Sequence, residues 1–141
     1  MSAPVLTVEN LSVTFRQDGA ETHAVRGVSY DVKRGETVAL VGESGSGKSQ
    51  CALAVLGLLP KRATLSGSIE FDGRQLVGAG QKALDEIRAR RIGIVFQDPM
   101  QALNPYLRIG TQLAQILRSH GLADRRGAHA RVVEMLARVG L

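Results

Sequence analysis

An α/β fold is predicted by three features of this 141-residue sequence. The apolar run Val38-Ala39-Leu40-Val41 leads into Gly42-Glu43-Ser44-Gly45-Ser46-Gly47-Lys48-Ser49, and that into Gln50-Cys51-Ala52-Leu53-Ala54-Val55-Leu56. The order reads as strand, glycine-rich loop, helix. Two β-branched stretches precede this unit, and two amphipathic helical stretches close the chain.

Residues 5–15, Val-Leu-Thr-Val-Glu-Asn-Leu-Ser-Val-Thr-Phe, alternate in part and read as a first strand. A polar turn, Gln17-Asp18-Gly19-Ala20-Glu21, separates it from a second at residues 24–32, so two antiparallel strands precede the loop. The helix after the loop is apolar nearly all round from Cys51 to Leu59 and is expected to be buried, with Gly57 and Pro60 marking its end. Ser66-Gly67-Ser68-Ile69-Glu70-Phe71-Asp72-Gly73 holds a short strand, and Val77-Gly78-Ala79-Gly80 is a loop. Residues 82–90 have helical composition, and Ile92-Gly93-Ile94-Val95-Phe96 reads as another strand, stopped at Gln97-Asp98-Pro99. From Thr111 the pattern is helical, with Leu113, Ile116 and Leu117 on one face. In the last segment Val132, Val133, Leu136 and Val139 form a stripe.

The glycine-rich loop carries the chemistry. Gly42, Gly45 and Gly47 lack a Cβ and can turn successive backbone N–H groups into one concavity that suits an anion. The helix beginning near Lys48 adds unsatisfied N–H groups and the positive end of its dipole. Lys48 supplies a mobile charge for the β- and γ-phosphates of a nucleotide, and the Ser49 hydroxyl is placed to ligate Mg2+. The spacing G-x4-G-K-S between an apolar run and a helix is specific enough to predict a nucleotide site.

Composition sets the bounds. At 44% hydrophobic residues the chain suits one globular domain or part of one, and no apolar run approaches the roughly 20 residues that span a bilayer. The start, Met1-Ser2-Ala3-Pro4, lacks a signal-peptide pattern, so a cytoplasmic location is expected. The single cysteine, Cys51, falls on the apolar helix and is expected to be a buried hydrophobe. The net charge of +5 is scattered, and aromatic residues, 4% of the chain, do not interleave with it, which argues against a nucleic-acid partner. His23, His120 and His129 lack carboxylates or cysteines at metal-ligand spacing, and no Ser-His-Asp constellation is present. Phe15, at the end of the first strand, could fill the core or stack on a purine.

Over its whole length the sequence resembles the N-terminal part of an ATP-binding cassette (ABC) ATPase. The residues that carry the resemblance are Val-Gly-Glu-Ser-Gly-Ser-Gly-Lys-Ser, Leu-Gly-Leu-Leu-Pro, Ser-Gly-Ser-Ile-Glu-Phe-Asp-Gly and Ile-Val-Phe-Gln-Asp-Pro-Met-Gln-Ala-Leu-Asn-Pro. The last is similar to the ATPase subunits of bacterial peptide (dipeptide/oligopeptide) and nickel importers. The resemblance implies a P-loop nucleotide-binding domain, with an N-terminal β-subdomain and loop core over residues 1–98 and the start of a helical subdomain over 99–141. It implies ATP and Mg2+ as cofactors. Gly42, Ser44, Gly45, Ser46, Gly47, Lys48, Ser49 and Gln50 would cradle the nucleotide, with Phe15 stacking on adenine. Lys48 and Gln97 would act in catalysis, and Ser49 and Gln97 near the metal; a carboxamide at Gln97 donates and accepts without charge.

The signature, Walker B and switch-histidine motifs of that family do not occur before Leu141, and neither Glu43 nor Asp98 ends an apolar Walker B-like strand. The chain by itself is therefore expected to bind nucleotide weakly and to hydrolyse it negligibly, and its uncovered apolar edge to favour aggregation. The implied partners are permease subunits in the membrane, a second ATPase subunit and, indirectly, a solute-binding protein, with the domain peripheral on the inner membrane face. A non-catalytic module docking on a membrane subunit, and a nucleic-acid-acting cassette, are the rival readings.

Overall fold

The computed structural model describes residues 3–17, 19–98 and 102–141, which fall into two compact units, Met1–Ile92 and Gly93–Leu141. Asp18 of the first turn, and Pro99, Met100 and Gln101 of the segment after Gln97, lie outside the described residues.

The first unit is built on a four-stranded antiparallel sheet, β1 (Pro4–Gln17), β2 (Ala20–Lys33), β3 (Ala63–Phe71) and β4 (Arg74–Gln75), in the order β2-β1-β3-β4. β1 is central, paired through Val8↔Tyr30 and Val13↔Val25 on one side and Val8↔Ile69 and Val13↔Leu65 on the other. A strict two-residue alternation cannot put both Val8 and Leu11 inside, yet both are buried. The irregularity at Asn10 (φ 50) resolves this: one extra residue resets the register, so that Val8, Leu11 and Val13 share the core face. A serine hydroxyl from each strand fastens the bulge, with Asn10 N–H donating to Ser29 Oγ of β2 at 2.8 Å and Gly27 N–H of β2 to Ser12 Oγ of β1 at 2.9 Å.

Helix α1 (Lys48–Val55) and helix α2 (Gln81–Arg90) complete this unit. Cys51, Ala54 and Val55 of α1 and Ile87 of α2 join Val8, Leu11, Val13, Val25, Ile69 and Leu76 in one core. Cys51, Ala54, Val55 and Leu56 are buried, Leu53 is half-buried and Ala52 is exposed, so the apolar part of the helix is covered on most sides, as its composition suggests, with Ala52 on the open one. Asp72, in the turn between β3 and β4, is bound by Arg34 at 2.9 Å and by Arg91, whose guanidinium also lies 5.5 Å from the Phe71 ring centre.

Two expected strands do not form. Residues 38–41 and 92–96 pair with no strand among the described residues, and Val41 and Val95 are 94% and 91% exposed. An apolar segment becomes a strand only where a neighbour takes its N–H and C=O groups, and no described strand pairs with either segment.

The second unit holds α3 (Ile109–Ser119) and α4 (Arg125–Arg138). Asp124 caps α4 by accepting from Gly127 N–H at 2.7 Å. Ala128 and Val132 are buried, whereas Val133 and Val139 of the expected stripe are exposed. Gln112 Nε2 donates to Asn104 O and Leu107 O at 3.0 and 2.9 Å, which ties the Leu-Asn-Pro turn to the start of α3.

Gly67 faces the bulge at φ +99, and a Cβ there would lie 2.6 Å from the carbonyl oxygens of Glu9 and Asn10. Gly67→Ala in the full chain is expected to lower unfolding free energy by about 1–3 kcal/mol, read by urea denaturation.

Candidate nucleotide site

The loop folds into an open concavity of about 240 Å3 lined by Ala24, Gly45, Ser46, Gly47, Lys48, Ser49 and Gln50. Its shape starts from Gly47, the residue that caps α1, at φ 90 and ψ 4 with no side-chain hydrogen bond to the helix. The first turn of α1 opens on the concavity with no side-chain cap on its N–H groups among the described residues, and it carries no acidic residue to compete with an anion. Ser46 N–H donates to Glu43 O at 3.2 Å and Cys51 N–H to Gly47 O at 3.0 Å, closing the loop onto the helix.

The site also has a wall from the sheet. Ala24 of β2 comes so close that a Cβ on Gly47 would stand 2.2 Å from the Ala24 carbonyl oxygen and 3.1 Å from Val25 Cγ2. Glycine is thus required at this position for space as well as for backbone angle.

Lys48 bends back over the loop. Its ammonium donates to Gly42 O at 2.8 Å, Glu43 O at 2.7 Å and Ser46 Oγ at 3.3 Å, so each of its three protons has an acceptor. These acceptors are neutral. Anionic phosphate oxygens form stronger charge-assisted bonds and can displace the longest of the three without moving the backbone.

The remaining predicted residues are distributed as follows. Gly42 contributes a carbonyl to Lys48 and, with Ser44, lies outside the lining; a Cβ at Gly42 would meet Ser46 Oγ at 2.6 Å. Ser49 is exposed in the lining, where its hydroxyl fits one position of an oxygen-ligated cation. Gln50 lines the concavity, and its Oε1 is buried with no hydrogen-bond partner among the described residues. Phe15 sits on β1 between Thr22 and Ala63, partly buried against the core and outside the lining. Gln97 is exposed in the second unit. His23 Nδ1 shares a hydrogen bond with Thr14 Oγ1 at 2.9 Å.

Cys51 lies in the core three residues beyond Lys48, and burial pushes its thiol pKa up. A raised pKa leaves less thiolate, the reactive form, so the side chain behaves as the expected small hydrophobe. Burial likewise raises Tyr30, with the Cys51 charge as the smaller cause.

The family model described as "ABC transporter" matches residues 25–141, a span that runs from β2 through the loop to the last helix. The chain belongs to the ABC transporter family. Relatives agree: this ABC-family chain is 48% identical over 140 residues to the oligopeptide transport ATP-binding protein OppD of Mycobacterium tuberculosis, covering 99% of itself and 23% of that protein. It is 44% identical over 133 residues to OppD of Haemophilus influenzae, covering 94% of itself and 41% of that protein. With the dipeptide transport ATP-binding protein DppD of Bacillus subtilis it shares 43% over 139 residues, covering 97% of itself and 42% of that protein. The chain thus spans between about a quarter and two fifths of the length of these relatives.

Among solved structures it resembles the dimeric ATP-binding cassette MJ0796 bound to ADP and Pi, with a TM-score of 0.74 and 25% identity over 94% of this chain and 56% of that one. A second dimeric structure of the same cassette gives a TM-score of 0.75. The fold class read from the loop and its flanks is that of these cassettes.

Gly47→Ala is expected to abolish nucleotide binding by the full chain, because a methyl group cannot occupy the space in front of the Ala24 carbonyl without moving the loop. Calorimetric titration with ADP reads the loss; binding within a few-fold of wild type would refute the geometry.

Proposed function

We propose that this chain is the ATP-binding part of an ABC importer subunit that powers the uptake of peptides or related solutes. The observation that carries the reading is the loop concavity, in which a glycine-capped helix terminus and the Lys48 ammonium converge on the space a polyphosphate would fill. Relatives named for oligopeptide and dipeptide transport support the solute class.

In this account the N–H groups of Gly45, Gly47, Lys48 and Ser49 hold the β-phosphate, and Lys48 leaves Ser46 Oγ to pair with the β- and γ-phosphates. With ATP bound, Mg2+ would supply charge neutralisation on the phosphates, and the Ser49 hydroxyl would be one of the oxygens that hold it. Phe15 keeps part of its ring outside the core, and that part offers a stacking surface for adenine. Gln97 positions water for hydrolysis and senses the partner surface, its carboxamide serving both tasks without a charge.

Hydrolysis belongs to the complete subunit, paired with a second ATPase subunit in a nucleotide sandwich, as the dimeric cassette structures suggest. Permease subunits receive the motion, a solute-binding protein delivers cargo, and the domain sits peripherally on the inner membrane face. No helix among the described residues is long and apolar enough to cross a membrane.

Lys48→Ala in the full-length subunit is expected to abolish ATP-dependent peptide uptake by cells, and normal uptake would remove the central claim. Gln97→Ala is expected to keep ATP affinity within a few-fold while uptake falls by an order of magnitude or more, on the order of losing one water-positioning group. A large loss of nucleotide affinity in that variant would show that Gln97 has been misassigned.

A further inference from the structure

The carboxyl end of α1 is held as specifically as its amino end. The helix closes in a tight cap in which Leu56 N–H donates to Ala52 O at 3.3 Å, Gly57 N–H to Ala54 O at 3.0 Å and Leu58 N–H to Leu53 O at 2.8 Å. The cap makes no use of the Leu56 and Gly57 carbonyls. One side chain from α2 takes both: Arg88 Nε donates to Leu56 O at 2.7 Å, and Nη2 to Gly57 O at 2.7 Å.

The grip is aimed from α2 itself. Arg88 Nη1 bonds Asp85 Oδ1 at 3.0 Å, and Asp85 in turn accepts from Gln81 Nε2 at 2.8 Å. The Arg88 side chain is only 18% exposed, so water competes weakly for these bonds. The fit leaves no slack: a Cβ on Gly57 would stand 2.8 Å from Leu84 Cδ1 and 3.1 Å from Arg88 Nη2. A planar guanidinium matches two carbonyls and a carboxylate in a way a point charge does not, and a cation here also complements the negative end of the α1 dipole.

We propose that Arg88 is a positioning residue for nucleotide, holding the far end of α1 so that Gly47, Lys48 and Ser49 at its near end meet the phosphates in register. This rests on the nucleotide reading of the loop. Arg88 is absent from the lining of the concavity, so it acts through the helix and not by contact. With 8 residues α1 is about 12 Å long, a short rigid rod, and releasing one end tilts the other. A displacement near 1 Å at a binding group is enough to cost about tenfold or more.

The test is calorimetric titration of the full chain with MgADP, together with thermal unfolding of each variant. Arg88→Met, which keeps the apolar stem, is expected to lose about tenfold in affinity. Ile87→Val, a buried change on the neighbouring residue of the same helix, is expected to lower the melting temperature while leaving affinity unchanged. Arg88→Lys, which retains a cation but cannot span both carbonyls, is expected to fall between wild type and Arg88→Met, and it is the variant read if Arg88→Met does not fold. Wild-type affinity in both Arg88 variants, or an equal loss in Ile87→Val, would overturn the positioning role. Failure of the wild type to bind MgADP would instead overturn the nucleotide reading on which it rests.

Discussion

The contact on which the rest of the structure depends is the approach of the Ala24 carbonyl to Gly47. It joins the antiparallel sheet to the first turn of α1 with no room for a Cβ between them, and that approach makes the loop a concavity with a wall. β2 can bring Ala24 there because the hairpin shifts register at that point: Val13 pairs with Val25 and Thr14 with His23, so Ala24 falls between paired residues while Val25 stays buried beside Leu11 and Val13. A local backbone irregularity in the sheet is therefore part of how an anion site is shaped some distance along the chain.

From that contact α1 runs into the core through Cys51, Ala54 and Val55, and its far end is gripped by Arg88. Both ends are thus fixed by a close approach: backbone at one, a guanidinium fork at the other. The helix has little amphipathic character of its own and is too short to be stable alone, so packing and end contacts decide where it points. For an anion site this matters, because the useful partial charges lie within a turn of the helix terminus and their direction is the direction of the helix.

Much of this was legible in the sequence. The loop spacing put Lys48 and Ser49 at the start of a helix, where they line the concavity, and β-branched alternation found β1 and β2 to within a few residues. The helical stretches near residues 82, 111 and 128 also appear, as α2, α3 and α4. The bulge was not legible, because alternation breaks equally at a bulge and at a poor strand, and only the pairing with Ser29 and Gly67 distinguishes them. Residues 38–41 and 92–96 have strand composition yet pair with nothing described, since composition records a preference for burial and not the presence of a neighbour. In the sequence Arg88 is one of a small basic group with Arg90 and Arg91; its role depends on a tertiary meeting with Leu56 and Gly57 that no local spacing announces. The buried Gln50 oxygen, without a hydrogen-bond partner among the described residues, is likewise a property of packing, and Phe15 shows core contact where the residue type alone left two roles open.

The central claim is that the loop recognises phosphate first and the rest of the nucleotide second. Competition calorimetry on the full chain, comparing pyrophosphate with adenosine as displacers of bound ADP, tests it most directly. The account predicts that pyrophosphate displaces ADP and that adenosine at the same concentration does not. Displacement by adenosine but not by pyrophosphate would contradict it.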